Sequence, residues 1–123
     1  MKELLRTHHI SFKNAFAGVL WSFRTQPNFR IHALLSAFVL FAASFFQIEK
    51  IEYVVLLFAI VLGFTSEMLN TSVESMTDLI STEWKKEAKI AKDVAAGMML
   101  FTAFGTAAIA VIIFYPYIAK LFI

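Results

Sequence analysis

Three acids and an amide stand at helical spacing in residues 67–78: Glu67, Asn70, Glu74 and Asp78, with Thr71 between them. At about 100° per residue, Glu67, Thr71, Glu74 and Asp78 share a wedge of roughly 60°, with Asn70 at its edge. The stretch follows directly on an uncharged apolar run, residues 53–66. A soluble helix carries such a stripe on its wet side at little cost. Within lipid an ionised carboxylate is expensive and is usually functional. The pattern suits a cation site, a proton-transfer site, or both.

A second set has the opposite sign. Lys85, Lys89 and Lys92 recur at i, i+4 and i+7, and Asp93 follows directly. A basic face opposite a carboxylate stripe suits a phosphate chain carrying Mg²⁺: carboxylates hold the metal and lysines answer the remaining negative charge. Phosphoryl transfer needs mainly positioning and charge stabilisation. Glu67, deeper in the lipid, is then placed to accept the proton of a lipid hydroxyl.

Each residue also has a plainer reading. The lysines are then anchors on anionic lipid. Asp93 pairs with Lys89 or Lys86, Asn70 and Thr71 join helices, and Glu74 and Asp78 form a solvated helix end. Glu67 resists this treatment, because the other spans offer it no evident partner. His8, His9 and His32 make no metal spacing and read as interfacial. There is no Walker A loop, Gly-rich kinase loop or catalytic serine or cysteine motif.

The elements that must position these residues follow from composition and pattern. Of 123 residues, 59% are hydrophobic and 16% charged, and the mean hydropathy is +0.72. A soluble domain this small could not bury so much apolar surface. The absence of cysteine excludes disulfides and thiolate metal sites. A net charge of +2 does not suggest nucleic acid as a partner. One membrane domain over residues 1–123 is expected, in the class of all-α membrane proteins.

Residues 1–7 are polar and expected to fray. Phe12, Phe16, Val19, Leu20 and Phe23 recur at helical spacing, which predicts an amphipathic helix in the membrane interface over about 11–25. Pro27 breaks the chain and Asn28 is a candidate N-cap. Spans are expected over about 31–48, 53–80 and 83–118. Residues 47–52 read as a polar turn, and Ser81 and Thr82 as a break that caps the next helix. Gly97, Ala103, Gly105, Ala107 and Ala110 supply small residues for close helix contact. Nine lysines and arginines would share one face of the membrane, leaving only Lys50 and Lys120 on the other. The positive-inside rule then puts the N-terminus and the mouth of the acidic stripe in the cytoplasm of a multi-pass cell-membrane protein.

Together, Glu67, Asn70, Thr71, Glu74 and Asp78, followed by the run Ala91-Lys92-Asp93-Val94-Ala95-Ala96-Gly97, resemble the prokaryotic diacylglycerol kinase/undecaprenol kinase family. The similarity extends to Asn28-Phe29-Arg30-Ile31-His32 and covers nearly the whole chain. The resemblance implies a homotrimeric bundle, each protomer having a surface helix and three transmembrane helices, with sites shared between subunits. It implies Mg²⁺ and ATP as cofactor and co-substrate, and a membrane lipid alcohol as acceptor. Glu67 matches the family's catalytic base and Glu74 its metal ligand, which also meets the nucleotide. Lys92 and Asp93 match nucleotide contacts, with Glu83 near the adenine. A second metal-binding glutamate of the family is here Gln26, whose amide can ligate only without charge. Met98 and Met99 replace smaller residues. Asn28–His32 and Ala91–Gly97 look more like the undecaprenol-using branch, which would make undecaprenyl phosphate; the alternative is diacylglycerol converted to phosphatidic acid. The rivals from another class are an ion channel or transporter subunit and a lipid-binding protein without activity. Residues 53–66 offer no second polar station to complete an ion path.

Overall fold

The computed structural model describes residues 2–80 and 83–122, with side chains from Ser11 onward. Ser81 and Thr82, expected to break one helix and cap the next, lie outside the described residues. The order is α1 (Lys2–Thr25), α2 (Pro27–Phe46), α3 (Lys50–Ile80) and α4 (Lys86–Ala119). α2, α3 and α4 are each long and apolar enough to cross a membrane.

The boundaries differ from expectation in instructive ways. α1 begins at Lys2 rather than near residue 11. Residues 2–6 are Lys, Glu, Leu, Leu and Arg, all strong helix formers, and they extend the helix despite their polarity. Pro27 does not simply break the chain. It opens α2 at its first turn, where a missing N–H costs nothing and a fixed φ is already suitable. The N-cap is therefore Gln26, in extended conformation, and not Asn28. α4 starts at Lys86, so Lys85 is its N-cap rather than part of its face.

The α2–α3 turn is shorter than the expected 47–52. Gln47 takes a left-handed conformation with φ 51°. Its N–H donates to Ser44 O at 3.3 Å, and the Ile48 N–H donates to Ala43 O at 3.2 Å. This is a Schellman closure, and Ile48 and Ala43 are both buried in the core that accompanies it. α3 then starts at Lys50. The Glu49 N–H donates to Glu52 Oε2 at 2.9 Å, closing the first turn of α3. Tyr117 of α4 donates to the same carboxylate oxygen at 2.5 Å, which ties the ends of α3 and α4 together.

Ala43, Ile48, Leu56, Ile113 and Phe114 form the core at that end of the bundle. α2 and α3 run antiparallel: Ala43 meets Leu56 there, while the Phe29 and Phe64 rings pack tilted, 4.9 Å between centroids, toward the other end. α3 and α4 share the largest interface, and Ser66 and Thr102 hydrogen-bond across it at 3.0 Å. Large apolar side chains such as Phe38, Phe58, Phe101 and Ile112 point outward from a single chain, a surface suited to lipid or to further copies.

Candidate functional site

α3 carries the stripe because its first half is apolar and its second half turns polar on one face only. Glu67 sits where the change occurs and is buried, with 2% of its surface exposed. Asn70 and Thr71 are buried beside it. The Glu67 Oε2 and Asn70 Oδ1 atoms are buried without a hydrogen-bond partner. Native buried polar atoms rarely stay unpaired, and the exceptions require an explanation. Asn70 turns its other end along the helix: Nδ2 donates to Glu74 Oε1 at 3.1 Å. Asn70 thus links the buried carboxyl region to an exposed carboxylate two turns from Glu67.

The basic segment comes to this stripe through an ion pair. Lys92 Nζ of α4 binds Asp78 Oδ1 of α3. Lys89 pairs with Asp93 at 2.5 Å on α4 itself, as one plain reading of Asp93 expected. Both pairs are largely exposed, so each adds only about 0–1 kcal/mol to stability. Asp78, Glu83, Lys85, Lys89, Lys92 and Asp93 line a cavity of about 370 Å³, together with Thr77, Ala88 and the exposed indole of Trp84. This is a polar, doubly charged recess with one aromatic face.

The expected site residues therefore fall into four places. Asp78, Glu83, Lys92 and Asp93 share the polar recess. Glu67, Asn70 and Glu74 form the chain leading away from it along α3. Thr71 leaves the group and faces α1, lining a separate cleft with Gly18, Trp21 and Ser22. Gln26 stands half-buried at the α1–α2 turn, and its side chain does not cap α2.

Two residues went unassigned in the sequence. Trp84 carries no expectation from the sequence, although an aromatic among lysines and glutamates is itself a signal for a flat ligand. His32 read as interfacial, yet it and Glu74 are the titratable neighbours that act on the Glu67 carboxyl. α2 thus brings an imidazole near Glu67. Its signal was Gly63, one turn before Glu67, where a Cβ would come within 3.3 Å of His32 Nδ1.

Among the described residues no three His, Cys, Asp or Glu side chains converge to hold a metal alone. The donors present are nonetheless hard oxygens, with Asn70 Oδ1 unpartnered beside Glu74. They fit a cation such as Mg²⁺, which takes one or two carboxylates and fills the rest of its shell with phosphate and water.

Residues 13–114 match the family described as prokaryotic diacylglycerol kinase. A diacylglycerol kinase of Synechocystis sp. is 44% identical over 95 residues, covering 76% of this chain and 54% of that protein. An undecaprenol kinase of Bacillus subtilis is 35% identical over 106 residues, covering 86% of both. A diacylglycerol kinase of Haemophilus influenzae is 35% identical over 89 residues, covering 71% of this chain and 75% of that protein. The chain thus spans about half the length of its Synechocystis relative.

Proposed function

The chain belongs to the prokaryotic diacylglycerol kinase family, and from that premise we propose that it phosphorylates a membrane lipid alcohol with ATP at the cytoplasmic face of the cell membrane. The observation that carries this reading is the Lys92–Asp78 pair. It holds the basic end of α4 against the acidic face of α3, below a buried carboxyl. A nucleotide's phosphates are stabilised in the polar recess by Lys92, which exchanges its carboxylate partner for phosphate, and by Lys89 and Lys85. Trp84 and Glu83 flank the base, and Asp93 orients Lys89. Glu67 accepts the lipid hydroxyl proton as that oxygen bonds to the γ-phosphorus and the bond to the ADP oxygen breaks.

Glu74 would hold Mg²⁺, with Gln26 as a neutral second ligand; the bound cation would offset charge on the phosphate oxygens. Asn70 fixes Glu74 by its hydrogen bond, and Thr71 supports the α1–α3 packing. The amphipathic face of α1 lies on the membrane, where exposed Phe12 and Phe16 enter the lipid. The outward apolar faces of α2, α3 and α4 meet lipid and two further copies in a homotrimer. The basic excess on one side supports a cytoplasmic N-terminus.

Undecaprenol is the preferred acceptor, supported by the 86% mutual coverage with the Bacillus undecaprenol kinase. Diacylglycerol is the second reading, favoured by the higher identity to the Synechocystis diacylglycerol kinase. The test is direct. Purified protein in bilayers receives γ-labelled ATP with undecaprenol or with diacylglycerol in parallel. Label on undecaprenol supports the first reading, label on diacylglycerol alone the second, and label on neither overturns both.

A further inference from the structure

Glu67 presents a mechanical problem. A carboxyl that must meet an alcohol in line needs a defined direction, yet its Oε2 is buried with no hydrogen-bond partner. Glu74 acts on it from its own helix; from the helices packed against α3, the titratable group that acts on it is His32. The imidazole is held with unusual closeness. It lies on the α3 backbone at Gly63, where an added Cβ would stand 3.3 Å from Nδ1 and 3.6 Å from Cε1. Gly63 and Glu67 are one turn apart on the same face, so an imidazole seated at one is beside the other. The Phe64 ring is 6.2 Å from the imidazole, and buried Phe29 packs on Phe64 in turn. These rings brace the imidazole from the protein side. On its other side His32 lines a cavity of about 270 Å³ between α2, α3 and α4. Ser36 and Thr106 are that cavity's other polar side chains, and the rest of its wall is aliphatic or glycine.

We propose that His32 is a positioning residue: seated by the bare backbone of Gly63, its imidazole fixes the direction of the Glu67 carboxyl one turn beyond an apolar cavity that His32 and Gly63 line and that admits the alcohol end of the lipid. The proposal rests on Glu67 acting as the base. His32 touches neither nucleotide nor transferred phosphate and acts through Glu67. A glycine where alanine would be the better helix former is explained by the imidazole's need for its place. Displacing a reacting group by about 1 Å can cost on the order of 100-fold in rate. A Cβ at Gly63 forces a shift of a few tenths of an ångström, so a smaller loss is expected there.

A double-mutant cycle in the lipid phosphorylation assay tests this, with Glu67→Gln alongside. His32→Ala should lower kcat at least tenfold while KM for ATP stays within twofold. His32→Gln, which restores a hydrogen-bonding group of similar reach, should recover much of that loss. Gly63→Ala should lower kcat about threefold where His32 is present and have no effect in the His32→Ala background, a coupling that independent structural roles would not produce. Equal losses from Gly63→Ala in both backgrounds, or a His32→Ala enzyme within twofold of the parent while Glu67→Gln is inactive, would overturn the positioning role. A Glu67→Gln enzyme that turns over normally would instead remove the base assignment on which it rests. Should His32→Ala fail to assemble, His32→Leu takes its place in the cycle with the same expectations.

Discussion

At the scale of single residues, the proposed reaction divides the site into groups for the nucleotide, groups for the acceptor and groups for the metal. Trp84 belongs to the first. Its indole is exposed in the charged recess, where stacking on a purine is worth about 1–3 kcal/mol per base. Trp84→Ala should therefore raise KM for ATP about tenfold and leave kcat nearly unchanged, measured by initial rates at saturating lipid. A fall in kcat with constant KM would remove the ring from the nucleotide. Gln26 is the proposed neutral ligand of the metal. Replacing its amide by a charged oxygen, Gln26→Glu, should lower the Mg²⁺ concentration for half-maximal activity several-fold. An unchanged Mg²⁺ titration would show that the α1–α2 turn contributes no ligand. The positions of Glu67 and Asn70 at the end of an apolar run were legible in the sequence. The link through Asn70 to Glu74 was not, because wedge angles do not reveal which end of an amide faces which acid.

Among the elements, the helix ends decide how the site is framed. Pro27 was read as an interruption and is a first-turn residue, since its missing N–H matters only beyond the first turn. Gln47 is the informative cap. A left-handed residue with a side chain costs more than glycine would, by about 1 kcal/mol, and part of that returns through unfolded-state entropy. Gln47→Gly should stabilise the protein by up to about 1 kcal/mol. Thermal unfolding in detergent would register this as a small rise in Tm with unchanged activity. A fall would mean that the Gln47 side chain makes contacts outweighing its strain. Nothing in the helical pattern singles out Tyr117. Its hydroxyl on Glu52 fastens α3 to α4 at the end of the bundle away from the polar recess, which holds the register that brings Lys92 to Asp78.

For the molecule as a whole, membrane orientation determines whether the recess can meet a cytosolic nucleotide. Lys50 and Lys120 belong to one face of the expected topology, and Lys85, Lys86 and Lys89 to the other. In intact cells an impermeant amine reagent should label Lys50 and Lys120 and spare the other three until the membrane is opened. The reverse pattern would invert the orientation and take the recess away from ATP. The large apolar side chains left bare on a single chain are the surface that the proposed homotrimer would use. Chemical cross-linking of the protein in bilayers should give a species of three chains that persists on dilution. Only a single chain after cross-linking would count against the assembly.

Hydropathy and helical spacing in the sequence alone determined that the chain is helical, that three of its helices suit a bilayer, and that acids at 67, 74 and 78 share a face with lysines following. Those facts depend on solvent preference and on 3.6 residues per turn, both local properties. Tertiary structure decided which groups from separate helices meet. It gave Glu67 the neighbour His32, from α2, at a place left open by Gly63, and it turned Thr71 toward α1. It also gathered Trp84 with Lys92 and Asp78. Such meetings depend on how close two backbones come and at what register, and no periodicity within one helix carries that distance.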